Sequence, residues 1–102
     1  MTTILCALSE LDDGVARRFE VDGTPVAVVR LGDRVYAISD TCSHAEVSLS
    51  EGDVDPEECA LECPAHGSLF SLENGEALCL PAVRAVPVHS VRVDGDQVVI
   101  DQ

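Results

Sequence analysis

Aromatic residues are scarce in this chain of 102 residues: Phe19, Tyr36 and Phe70 are all of them, and tryptophan is absent. A core of stacked rings is excluded, so Val, Leu, Ile and Ala must build it. Basic residues are few as well, six against nineteen acidic ones, for a net charge of −13. Binding nucleic acid through phosphates needs a basic patch and is excluded. No apolar run approaches the roughly 18 residues that cross a bilayer, so no membrane span is expected. Met1 to Cys6 has neither a basic start nor a long apolar stretch, so no secretory leader is expected. No G-x-G-x-x-G follows a strand, which excludes a dinucleotide fold able to take hydride from a nicotinamide. No Ser/His/Asp or Cys/His nucleophile set is available either.

What is present is short-range alternation punctuated by turns. Thr3 to Leu8, Ala16 to Val21, Pro25 to Arg30 and Val35 to Ser39 read as strands, with hairpin turns at Asp22-Gly23 and Gly32-Asp33. Ser9 to Asp13 reads as a single helical turn. Residues 40–55 are polar, Ser-rich and acidic without a period, and read as a loop. Ala60-Leu61-Glu62 and Ser68 to Ser71 read as short strands, followed by a turn at Glu73-Asn74-Gly75. A last hairpin pairs Val86 to Val93 with Gln97 to Asp101 about Asp94-Gly95. The length fits one domain, residues 1–102, and the pattern predicts an all-β fold of nine to ten short strands.

Five cysteines is an odd number. Cys6 and Cys79 sit in apolar settings and read as small core residues, while Cys59 reads as a more exposed thiol. Reduced thiols rather than a disulfide framework point to the cytoplasm. His89 reads as a surface position on the last hairpin.

The informative segments are Cys42-Ser43-His44 and Cys63-Pro64-Ala65-His66. Eighteen residues separate His44 from Cys63. Two Cys and two His on two loops can hold one metal centre. A zinc finger usually takes both sulfurs from one arm and both imidazoles from the other. Here each arm offers one of each, which suits a two-iron cluster with thiolates on one iron and imidazoles on the other. A structural zinc-binding interaction module remains the alternative from these residues alone.

At these positions the chain resembles the Rieske [2Fe–2S] family, with its C-x-H and C-x-x-H arms. The likeness runs from about Thr2 to Asp101. Gly67-Ser68 after the second His, and Leu80-Pro81-Ala82 where a proline-bearing loop covers the cluster, agree with it. The resemblance implies an antiparallel β-sandwich with a cluster-binding subdomain at about residues 40–82. It implies one [2Fe–2S] cluster, with Cys42 and Cys63 on the buried iron and His44 and His66 on the outer one. Ser68, Phe70 and Pro81 would form the surround.

Imidazoles replace two thiolates and lessen the negative charge of the centre, so its potential is higher, in a range of about −150 to +300 mV. High-potential members add a disulfide, at the positions of Val47 and Ala65, and a Tyr hydroxyl at the position of Phe70. This chain has none of these, and Ser68 is the hydroxyl that remains. Few hydrogen bonds to sulfur and an acidic surround place the potential low, at about −150 mV. Neutral imidazoles around neutral pH imply electron transfer without a proton.

After two His are assigned to the cluster, only His89 remains, too few for a mononuclear iron site of two His and one carboxylate. The chain is therefore expected to be an electron carrier, not an enzyme. By resemblance it takes electrons from a flavin-containing NAD(P)H-dependent reductase and passes them to a Rieske-type terminal oxygenase. It would work as a monomer forming transient complexes. The small Rieske subunit of an NAD(P)H nitrite reductase, or a ferredoxin of iron–sulfur cluster assembly, is the alternative within the family.

Overall fold

A computed structural model describes residues 2–21, 23–41, 47–64, 67–78 and 85–101. Nine strands follow one another: β1 (Thr2–Ala7), β2 (Ala16–Val21), β3 (Thr24–Leu31), β4 (Arg34–Ser39), β5 (Val54–Asp55), β6 (Ala60–Glu62), β7 (Leu69–Ser71), β8 (Val88–Asp94) and β9 (Gln97–Asp101). The all-β expectation is met. Among the described residues the only helices are 3-10 turns at Leu8–Glu10 and Leu49–Glu51, and no helix is long and apolar enough to cross a membrane.

Six strands form one antiparallel sheet in the order β1-β9-β8-β4-β3-β2, and β5-β6-β7 form a second. The large sheet folds over at β8. Val88 and His89 pair with Ile38 and Ala37 of β4, whereas Ser90 to Asp94 pair with β9. One strand thus belongs to both halves, and the halves close on a core of Val21, Val26, Val28, Ala37, Val98 and Ile100.

β3 explains its own unbroken apolar run. Val26, Ala27, Val28 and Val29 are all fully buried. Val26 and Val28 face the core just described, while Ala27 and Val29 face a second one with Ile38, Leu49, Leu61, Phe70 and Val86. A strand covered on both faces has no polar side to alternate with. This second core seats the small sheet, which is built from residues lying between β4 and β8.

Hairpin geometry follows the glycines. Gly32 takes φ +63° between paired Leu31 and Arg34, as expected for a two-residue loop. The last hairpin turns on Gly95-Asp96, one residue later than expected, because Asp94 pairs with Gln97. β8 starts at Val88 rather than Val86, since the Val86 N–H donates to the Gly75 carbonyl at 2.8 Å and its side chain enters the second core. Residues 47–55 of the polar stretch are more ordered than their composition suggests. Leu49 is fully buried in its 3-10 turn, and Val54 pairs with Leu61.

His89 is half-buried, with Nε2 3.2 Å from Ser39 Oγ, so the surface reading of this residue needs correcting. Cys59 is half-buried against the second core, with φ +51°. Cys6 packs beside the first core; burial first, and Glu10 next, push its thiol above the ordinary range, with Arg17 opposing. Cys79 lies outside the described residues.

Candidate metal centre

Of the four ligand candidates the described residues include Cys63. Cys42, His44 and His66 lie outside them, as does Pro81. What can be read is how the flanks are built.

The second arm begins where β6 ends. Cys63 is 1% exposed and belongs to the second core, with Leu49, Leu61, Phe70 and Val86 around it. Its N–H donates to the Ser68 carbonyl at 2.7 Å, and the Gly67 N–H donates back to the Cys63 carbonyl at 3.0 Å. These two bonds tie Cys63 to Gly67 and Ser68. Gly67 makes the reversal at φ +73°, which a side chain would disfavour. Ser68 and Phe70, expected near the centre, are both fully buried. Phe70 pairs with Leu61 across β6 and β7.

The first arm leaves from Thr41 and returns at Val47. Thr41 and Ser48 form an antiparallel bridge, and buried Asp40 binds the returning chain. The segment that contains Pro81 leaves after Leu78, whose N–H donates to the Leu69 carbonyl at 2.7 Å, and rejoins at Ala85. Val47, Cys63 and Ala77, which flank the three segments, all pack on the same core. The fold therefore gathers the flanks of three separate stretches of sequence on one core.

A buried thiol held in a reversed loop, on an apolar floor, fits one sulfur ligand of a redox centre shielded from water. Among the described residues no group of three or more His, Cys, Asp or Glu gathers as a metal site would require. The residue that sequence reasoning missed is Asp40. Its signal is faint, an acid two places before Cys42 with Ser48 and Ser50 beyond it.

A Rieske [2Fe-2S] domain model matches residues 1–99. The ferredoxin subunit of 3-phenylpropionate/cinnamic acid dioxygenase from Escherichia coli (strain K12) is 39% identical over 97 residues, which cover 94% of this chain and 89% of that protein. The ferredoxin of carbazole 1,9a-dioxygenase from Nocardioides aromaticivorans IC177 superposes with a TM-score of 0.96 at 41% identity, covering 98% of this chain and 96% of the other. A ferredoxin solved in complex with the reduced oxygenase of carbazole 1,9a-dioxygenase superposes at 0.88 with 37% identity, covering 97% of this chain and all of the other.

Proposed function

The chain belongs to the Rieske [2Fe–2S] domain family, and from that premise we propose that it is the ferredoxin of a ring-hydroxylating dioxygenase system. It carries single electrons and is not itself an enzyme. The observation that carries this reading is likeness over almost the full length to ferredoxin components of two different dioxygenases. A terminal oxygenase is the acceptor, by analogy with the solved complex of such a pair. A flavin-containing, NAD(P)H-dependent reductase is the donor that completes the chain.

One Rieske-type [2Fe–2S] cluster, when bound, supplies a site that accepts and releases one electron. Cys42, His44, Cys63 and His66 would hold it, on the mixed thiolate and imidazole pattern. The apolar floor around Cys63 keeps water from the sulfur side. The backbone pair between Cys63 and Ser68 fixes that arm, so little has to move when charge arrives. A rigid surround of this kind keeps the reorganisation that accompanies electron transfer small. Phe70 brings bulk without a hydroxyl, and Ser68 is the buried hydroxyl beside it. The hydroxyl that Phe70 lacks favours a potential near the low end of the family range, with Ser68 the one donor that opposes it.

The deciding measurement is the EPR spectrum and redox titration of the dithionite-reduced protein. We expect red-brown protein with two irons per chain, a rhombic signal and a midpoint of about −150 mV. A midpoint well above zero would contradict the account of Phe70 and the missing disulfide. Colourless protein with one zinc per chain would overturn the function.

A further inference from the structure

We infer that Asp40 is a positioning residue that buckles the first ligand arm at its base; this rests on the ligand reading proposed above. Asp40 stands two residues before Cys42 and is 1% exposed. A carboxylate so far from water is tolerated only when hydrogen bonds and opposite charge replace its hydration. Both are supplied. Ser48 Oγ donates to Oδ2. The Ser50 N–H donates to Oδ1 at 2.8 Å. Arg18 reaches over from β2, with Nε 3.6 Å from Oδ2. On the main chain, the Leu49 N–H donates to the Asp40 carbonyl at 2.6 Å, and the Asp40 N–H donates to the Pro25 carbonyl at 3.0 Å. One residue therefore ties together β3, the departure of the arm and its return.

The arm returns into the 3-10 turn Leu49–Glu51, whose N-cap Ser48 makes no side-chain capping bond. Asp40 caps that turn instead, from eight residues before Ser48 in sequence. Its carboxylate satisfies the Ser50 N–H, which has no partner within so short a turn. With Thr41 bridged to Ser48, the segment that carries Cys42 and His44 spans a fixed gap. Closing a loop beforehand removes chain entropy that ligand binding would otherwise have to overcome.

The action lies in the two side-chain hydrogen bonds, and an amide separates them from the charge that faces Arg18. In Asp40→Asn, Oδ1 still accepts from Ser50. The amide N–H in place of Oδ2 donates to Ser48 Oγ, and the Ser48 hydroxyl turns toward Ser50 Oγ, 2.9 Å away. Asp40→Ala removes every side-chain bond at once. Ser48→Ala removes one donor and leaves the carboxylate in place.

The test compares the iron-loaded wild type with these three variants. Cluster loss to a chelator is followed by visible absorbance, linewidth by EPR, and the amides of Leu49 and Ser50 by hydrogen exchange. We expect Asp40→Ala to lose its cluster about 10- to 100-fold faster, the range seen when an outer-shell partner is removed, with a broader signal and faster exchange at Ser50. Asp40→Asn should stay within about threefold of wild type, since both hydrogen bonds survive and the half-exposed Arg18 contact is all that is lost. Ser48→Ala should fall between. Wild-type release and exchange in Asp40→Ala would overturn the inference, as would Asp40→Asn behaving like Asp40→Ala. Should Asp40→Ala not fold, a wild-type release rate in Ser48→Ala overturns it equally. Wild-type protein without the rhombic signal, or Cys42→Ser with that signal intact, would instead overturn the ligand reading beneath it.

Discussion

Gly52 shows how a small residue can be required by space alone. Its backbone, at φ −87° and ψ −178°, is open to any amino acid. A Cβ there would lie 1.7 Å from the Glu62 carbonyl oxygen and 3.1 Å from Pro64 Cδ. Gly52→Ala must therefore push back the strand end that presents Cys63. We expect it to cost about 2–4 kcal/mol and to lower the melting temperature by roughly 10 °C or more, with weaker cluster retention. Gly95→Ala is the control: nothing lies within 4 Å of its Cβ, and only φ +64° resists the change. Differential scanning calorimetry of the two variants checks the contrast; equal losses would refute it. Phe70 permits a second test. Phe70→Tyr places a hydroxyl at a fully buried position. Where that hydroxyl meets a ligand sulfur, the midpoint rises by on the order of tens of millivolts. Without such a partner the protein loses about 1–3 kcal/mol of stability and the potential stays put.

Among the strands, what the sequence disclosed depended on how local the cause was. β2 and β6 were legible to the residue, since alternation and flanking turns are properties of neighbouring positions. The paired arms around Cys42 and Cys63 were legible for a similar reason: ligand chemistry repeats at short, fixed spacing. Asp40 was not, because Ser48, Ser50 and Arg18 come to it only through the fold. The ordering of Leu49–Glu51 and Val54–Asp55 was hidden in the same way, behind acidic residues that face outward while Leu49 fills the second core. Val86 misled as an apolar residue next to a strand, since Gly75 draws it to the other sheet. His89 looked like a surface residue until β4 supplied Ser39 beside it.

At the scale of the molecule, charge is divided unevenly. Ten of the nineteen acidic residues fall between Val35 and Val83, where no Arg or Lys occurs; the other nine share the rest of the chain with all six arginines, for a net −3. Glu51, Asp53, Glu57, Glu58, Glu73 and Glu76 of the small-sheet region are exposed. Such a distribution orients the chain during approach to a basic surface and raises the on-rate more than the final affinity. Reduction of the oxygenase should slow about tenfold or more between low and physiological ionic strength. Glu57→Gln with Glu58→Gln should flatten that dependence. Stopped-flow rates across a salt series read this directly, and a rate indifferent to salt would refute it.

β4 and β8 meet in only two residue pairs, with the Ser39 N–H donating to the Pro87 carbonyl at 2.8 Å. Everything from 40 to 87 lies between those partners. The β2–β3–β4 meander and the β8–β9 hairpin are local and close early, whereas this seam closes the excursion from 40 to 87 and comes after them; among the paired strands, β1 with β9 alone joins positions further apart. A refolding chain is expected to keep Cys63 open to solvent until this seam closes, and pulse labelling of thiols reads that interval. Iron and sulfide arriving before that closure would meet an open thiol, so the interval for loading a cluster is set by where one short seam lies along the chain.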